Sequence, residues 1–226
     1  MTALIIAIDG PAASGKSTVA RKLATALDLV YLDTGAMYRG LTLRVLEAEV
    51  DPGDEAACVK LAQATTIDFD DSGHVLVDGR PGEPAIRGAL VTGAVSQVAA
   101  HPGVRAQVVP KQRAIALQPG RRGVVAEGRD TTTVVFPEAS HKFFLAASAA
   151  ERARRRALEQ DEPESVAAIQ AAIEERDRLD SSRLHSPLQE APDAIRITTD
   201  GKSAGEVLAE ILEHVSGART EGHSPN

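Results

Sequence analysis

Five short runs of apolar residues punctuate the chain, at 4–8, 29–32, 123–126, 142–145 and 194–198. Each is too short for a helix and rich in branched or aromatic residues, which predicts strands. The first, Leu4-Ile5-Ile6-Ala7-Ile8, is apolar without alternation, as a strand buried on both faces should be. Apolar residues at helical spacing follow or separate these runs: Val19, Ala20, Leu23, Ala24 and Leu27; Met37, Tyr38, Leu41, Val45 and Leu46; Val91, Val95 and Val98; and Val207, Leu208, Ile211, Leu212 and Val215. Helices are also expected over 105–117, where Pro110 would kink or split the element, and over 152–159 and 164–181. Ser148 with Glu151, and Ser203 with Glu206, have capping-box spacing. The stretch 66–85 differs. Ile67-Asp68-Phe69-Asp70 alternates, 71–73 is a turn, Val75-Leu76-Val77 is a second run, and Asp78-Gly79 is a second turn. That pattern predicts a small antiparallel insertion of two or three strands. From Ser216 periodicity stops, so 216–226 is expected to be a disordered tail.

Composition narrows the class. The 226 residues suit one α/β domain, and no apolar run approaches the ~20 residues of a membrane span. Cys58 is the single cysteine, and the N-terminus carries no basic region or cleavage-type signal, so a cytoplasmic location is expected. A net charge of −7 argues against nucleic acid as a partner. The cations are unevenly chosen. Of 25 basic residues 19 are Arg, and ten of these lie between Arg121 and Arg183. Arg is favoured where phosphate is gripped through planar, bidentate contacts.

The sharpest chemistry lies at 10–17, which reads Gly-Pro-Ala-Ala-Ser-Gly-Lys-Ser and fits the P-loop pattern. A triphosphate is well solvated, so a protein must offer many converging donors with no side chains in the way. Gly10 and Gly15 let the backbone N–H groups curl inward, and the next helix adds its positive end. Lys16 can reach the β- and γ-phosphates, and the Ser17 hydroxyl can serve Mg²⁺. A glycine-rich turn that merely joins strand to helix is the alternative, and the correct flanks argue against it.

Further candidates follow downstream. Arg39 lies early in a helix, close to a strand's C-terminal end, where ligands bind in open α/β sheets. Glu127-Gly128-Arg129-Asp130 ends another strand with both signs of charge; an Arg–Asp turn is its bland reading. Arg152 and Arg156 are four apart on one helix, with Arg154 and Arg155 pointing elsewhere. Arg176, Asp180 and Arg183 span roughly 60° of a continuous helix face. They could grip a phosphate or form a salt-bridged surface ladder.

Several segments together resemble the bacterial cytidylate kinases. These are Asp9-Gly-Pro11 leading into the P-loop, Asp33-Thr-Gly-Ala-Met-Tyr-Arg39, Ala94-Val-Ser96-Gln-Val-Ala-Ala, Glu127-Gly-Arg-Asp130 with Thr133-Val-Val-Phe-Pro137, and Glu175-Arg-Asp-Arg-Leu-Asp-Ser-Ser-Arg183. The resemblance runs from residue 4 to about 215. It implies a P-loop NTPase fold with a parallel five-stranded core sheet (about 1–34, 121–148 and 190–215), a nucleoside-monophosphate region with an antiparallel insertion (35–120) and a helical lid (149–186). It implies ATP contacts from Gly10, Pro11, Ala12, Ala13, Ser14, Gly15, Lys16, Ser17, Thr18 and Arg156, with Ser17 at Mg²⁺. CMP or dCMP would meet Thr34, Arg39, Ser96, Arg105, Arg129, Asp130, Arg176, Asp180 and Arg183. Lys16, Arg129, Asp130, Arg152 and Arg183 would carry catalysis. A monomer acting on these small molecules is expected.

Two positions depart from the family pattern. Thr132 stands where a glycine is usual, so the loop after Asp130 could follow another path, and Thr34 replaces the commoner Ser. Asp130 and Glu127 are both candidates for the acid that orients the Mg²⁺ waters. A kinase for uridylate or shikimate would share 4–27 but not the Arg176, Asp180 and Arg183 set. A noncatalytic nucleotide switch is disfavoured by the lack of an Asn-Lys-x-Asp motif.

Overall fold

The structure, a computed structural model, describes residues 3–70, 72–118, 120–158 and 165–221. Strand β1 (Leu4–Asp9) leads through the glycine-rich loop into α1 (Lys16–Leu27), and β2 (Val30–Asp33) runs into α2 (Thr34–Glu47). A long excursion follows: α3 (Glu55–Ala64), strands β3 (Ile67–Phe69), β4 (Val75–Val77) and β5 (Arg80–Pro81), then α4 (Ala89–Val98) and α5 (Pro102–Ala116). The chain returns with β6 (Gly123–Gly128) and β7 (His141–Ala146), leaves through α6 (Ala149–Leu158) and α7 (Val166–Ser181), and closes with β8 (Ile195–Thr198) and α8 (Ala204–Glu221).

The five longer runs form one parallel sheet in the order β2-β6-β1-β7-β8. The inner strands β1 and β6 are covered on both faces and show no alternation, whereas the edge strand β8 alternates, with Ile197 buried and Arg196 and Thr198 exposed. Ile6, Ile8, Leu23, Phe143, Ile197 and Ile211 pack on the side of α1 and α8. Leu32, Met37, Leu41, Val108, Val124 and Ala126 pack on the other side, beneath α2 and α5. Phe143 is fully buried at the centre, a burial worth roughly 2–3 kcal/mol.

Register then builds the site. Asp9 lies opposite both Gly128 and Phe144, Asp33 opposite Glu127, and Ala146 opposite Thr198. The C-terminal ends of all five strands therefore finish on one edge. The central strand β1 lies between β6 and β7, so its loop opens into the crevice where strand order reverses.

The insertion is a three-stranded antiparallel sheet, β3-β4-β5. Its first strand stops at Phe69 because the Asp70 carboxylate turns back to accept the N–H groups of Ser72 (2.9 Å) and His74 (2.8 Å). Asp71, in the expected turn, lies outside the described residues. Its buried Val77 meets α2 at Gly40, where an added Cβ would come within 2.9 Å of the valine methyl. Pro110 neither splits nor ends α5, which continues to Ala116.

Some boundaries differ from expectation. Asp33 caps α2, accepting the Ala36 N–H at 2.9 Å. The Ser203–Glu206 box forms in both directions. At Ser148 only half does, because Glu151 turns its carboxylate to Arg154 and Arg155. Residues 159 and 164, the expected ends of two lid helices, lie outside the described residues. The expected tail is corrected in part: α8 continues past Ser216 to Glu221, its backbone ladder outlasting its apolar stripe; 222–226 lie outside the described residues.

Candidate active site

A cleft of about 720 Å³ opens at the C-terminal edge of the sheet. Of the site residues expected from sequence, all line it except Gly10, Pro11 and Arg152. Those three sit in the loop and lid that frame it.

The donor side is the loop after β1. Gly10 has φ +154°, and a Cβ there would stand 2.3 Å from the Leu145 carbonyl oxygen. Only glycine fits so close a backbone approach. Gly15 is left-handed, φ +88°, and turns the chain into α1. The Lys16 ammonium folds back to donate to the Pro11 carbonyl at 2.7 Å and reaches 3.4 Å from the Ser14 hydroxyl. Burial first, then the charge of Arg129, pushes its pKa down to about 7.

The Ser17 hydroxyl donates to Glu127 Oε1, and the Tyr31 hydroxyl donates to the same oxygen at 3.1 Å. Glu127 is buried, and burial followed by the nearby Asp33 charge pushes its carboxyl up. A cation would relieve both effects. Among the described residues no group of three or more His, Cys, Asp or Glu side chains could hold a metal unaided. A hydroxyl beside one carboxylate suits Mg²⁺, which keeps several waters and takes its other oxygens from phosphates. The two candidate acids are thereby separated: Glu127 stands by Ser17, whereas Asp130 is ion-paired to Arg105.

Helices α6 and α7 reach the loop through residues that sequence reading only half identified. Arg152 donates to the Ala12 carbonyl at 3.2 Å and pairs with Asp177, whose other oxygen accepts the Ala12 N–H at 3.3 Å. Asp177 was not singled out. Its one signal is its place between Arg176 and Arg178, and nothing in spacing links it to Arg152. Arg154 does point away, to Glu151. Arg155 corrects the expectation: it donates to the Ser14 carbonyl (3.4 Å) and the Thr199 hydroxyl (3.0 Å), tying α6 to the loop and to the end of β8.

Across the cleft the opposite wall gathers side chains from α2, α4, α5 and α7 and from the turn after β6. Asp180 is its hub, 1 % exposed. It accepts from Arg129 Nε (2.9 Å), from Arg183 and from the Ser96 hydroxyl (3.2 Å), with Arg176 Nε at 4.0 Å. Burial alone would push its carboxyl up, but Arg129, Arg183 and Arg176 together hold it below the usual range. Arg183 does not continue the helix face, since α7 ends at Ser181. It folds back from beyond the end onto Asp180 three residues before it.

Arg39 is buried, donating to the Ile86 carbonyl and the Thr92 hydroxyl, both at 2.9 Å, which excludes an exposed helical role. Arg105, paired with Asp130, also lies 5.3 Å over the Tyr38 ring. The Thr34 hydroxyl donates to the Glu127 carbonyl at 2.7 Å. Arg87 with Asp33, at 3.0 Å, is a further cleft pair that sequence gave no reason to join.

Charges here do not cancel locally. Arg129, Arg176 and Arg183 share one carboxylate, Asp180, and Arg39 adds a further positive charge beside Arg129 and Arg176. The Arg39 and Arg176 guanidiniums are pushed down to about 10 and about 9, each by burial first and then by a neighbouring arginine. Such a cluster is completed by a dianion.

Thr132 proves to have a task. Its N–H and hydroxyl both donate to one oxygen of the buried Asp9 carboxylate, and those of Thr131 donate to the other. The chain continues as a single wide helical turn, Thr131–Val135.

The sequence profile described as cytidylate kinase matches residues 6–217. A cytidylate kinase of Geobacillus kaustophilus (strain HTA426) is 50 % identical over 217 residues, 93 % of this chain and 96 % of that one. One of Geobacillus thermodenitrificans (strain NG80-2) is 48 % identical over 219 residues, 94 % of this chain and 96 % of that one. Among solved structures, an uncharacterized protein from Eubacterium ventriosum ATCC 27560 shares the fold at a TM-score of 0.52 and 12 % identity, covering 94 % of this chain and 98 % of that one. With a P-loop on the central strand, an arginine-rich pocket facing it and this likeness along nearly its whole length, the chain belongs to the cytidylate kinase family.

Proposed function

We propose that the protein transfers the γ-phosphoryl group of ATP, in line, to the phosphate of CMP and of dCMP. The observation that carries this reading is the cluster of Arg39, Arg129, Arg176 and Arg183, only partly neutralised by Asp180, facing the P-loop across one cleft. An acceptor phosphate is already a nucleophile at neutral pH, so no general base is required. The difficulty is to hold two polyanions together and to neutralise charge spreading over the transferring group. Lys16 and the loop amides take the donor phosphates. Ser17 and Glu127 would hold Mg²⁺, which would supply positive charge to the donor phosphates. Arg129, Arg176 and Arg183 hold the acceptor phosphate, and Asp180 keeps the three in register and addresses the sugar. Arg105 and Asp130, with Ser96, offer both donors and acceptors to the edge of a cytosine, a pattern that penalises bases unable to satisfy it. Arg152 and Arg156 close over ATP and exclude water.

Dependence on the acceptor tests the reading. ADP release is expected with CMP and with dCMP, because the arginines address a phosphate that both carry. It should be at least tenfold weaker with UMP and absent with shikimate. Release independent of every acceptor would indicate a nucleotide switch instead. The cleft is complete within one chain, which supports action as a monomer, and the unpaired, buried Cys58 suits a reducing cytoplasm. Among the described residues no helix is long and apolar enough to cross a membrane.

The lowered pKa of Lys16 has a sign that can be checked. In the free protein the ammonium loses its proton near pH 7, whereas bound phosphates favour the charged form. The bound state therefore holds more protons, and affinity is full below pH 7 and falls as pH rises above it. Titration calorimetry of the Mg²⁺–ATP complex should show net proton uptake at pH 8. Affinity should weaken by up to about tenfold per pH unit above 7. A flat profile between pH 7 and 9 would contradict this.

A further inference from the structure

Asp9 ends β1 and touches neither wall of the cleft, yet its side chain is among the most fully satisfied in the molecule. It is 0 % exposed. One oxygen accepts the Thr131 N–H (2.9 Å) and hydroxyl (2.7 Å); the other accepts the Thr132 N–H (2.7 Å) and hydroxyl (2.6 Å). Four short bonds from consecutive residues 122 and 123 positions away leave this carboxylate no freedom. Bonds to an ionised acceptor are also the stronger kind.

The location gives the arrangement its meaning. Gly128, the last residue of β6, pairs in register with Asp9 itself. Thr131 is fastened to the Asp9 carboxylate. Between those two points lie only Arg129 and Asp130, a two-residue arch anchored at both ends on one residue. Arg129 leaves the arch toward Asp180, and Asp130 leaves it toward Arg105. Neither has a helix or strand of its own to set its backbone: Asp130 has φ −142° and ψ 24°, outside both regular conformations.

We propose that Asp9 is a positioning residue for the acceptor: its carboxylate, through Thr131 and Thr132, fixes the arch that aims Arg129 at the acceptor phosphate and Asp130 at the base. Thr132 gives the clamp a fourth donor where the family pattern has a glycine, which could supply only its N–H. The following residue is Gly10, so the acceptor arch takes its reference point from the residue that opens the donor loop. This inference rests on the acceptor placement of Arg129 and Asp130 given above.

Asp9→Asn is the direct test. An amide keeps the shape and one acceptor oxygen, but in either orientation its NH₂ faces the N–H of Thr131 or of Thr132, donor against donor. Steady-state kinetics should give a KM for CMP raised tenfold or more, with the KM for ATP within twofold of the parent. Thr132→Val, which removes one donor and keeps the backbone bond, should raise the CMP KM about threefold, again leaving ATP unchanged. That variant decides the matter if Asp9→Asn does not fold. A lowered melting temperature with both KM values intact, or equal rises for both substrates, would overturn the clamp's role in positioning. Arg129→Ala measured alongside separates the two layers. If it raises the CMP KM while the clamp variants do not, the clamp inference fails alone. If it leaves the CMP KM unchanged, the acceptor placement fails and takes the inference with it.

Discussion

Replacing Lys16 by alanine is expected to lower phosphoryl transfer to CMP by about a thousandfold or more, roughly 4 kcal/mol of transition-state stabilisation. Lys16 is 4 % exposed, and its ammonium donates to the Pro11 carbonyl. Turned to bound phosphates, it would place a positive charge in a dry site at the point where negative charge spreads. Neither Arg152 nor Arg155 can substitute for it. Arg152 and Arg155 are committed to carbonyls of the loop and to Asp177, Glu151 and Thr199. The fold should survive, because the Lys16 ammonium bonds only to atoms of its own loop. Circular dichroism and melting temperature would report this. A Lys16→Ala protein with full transfer activity would sink the assignment of the P-loop as donor site.

Arg183→Ala carries the second large effect. We expect kcat/KM for CMP to fall about a hundredfold, close to 3 kcal/mol, while the KM for ATP moves less than twofold. The side chain is 7 % exposed and paired with Asp180, so its loss removes a desolvated charge-assisted contact from the acceptor side. Asp180 keeps Arg129 and Ser96, which limits the structural damage. The readout is selectivity between substrates. Equal losses for both would make Arg183 a general closing residue of the lid.

The inner strands were legible because parallel burial leaves a mark that survives in a single sequence, as in the unbroken branched run of β1; the edge strand β8, with Arg196 and Thr198, was legible instead by its alternation. The P-loop was legible because its chemistry is contiguous; eight neighbouring residues carry the whole pattern. Arg176 and Asp180 could be read as a pair from helical spacing. Arg183 could not be placed by the same logic, since it acts by folding back from beyond the helix end. The contacts that resisted reading all join distant positions without a shared period. Asp177 meets Arg152 across 25 residues, and Asp9 meets Thr132 across 123. That Glu127 stands beside Ser17 while Asp130 pairs with Arg105 also needed three dimensions. Three residues apart in sequence, they face opposite sides of the cleft because the chain leaves β6 at Gly128 and turns.

The contact of Arg152 and Asp177 with Ala12 ties three elements to one residue. The Ala12 N–H meets a carboxylate of α7 and its carbonyl meets a guanidinium of α6, and those two side chains pair with each other. The three groups close a ring of contacts, so the loop is mechanically coupled to both helices at a single peptide unit, and Asp177→Ala would break two of the ring's three links at once.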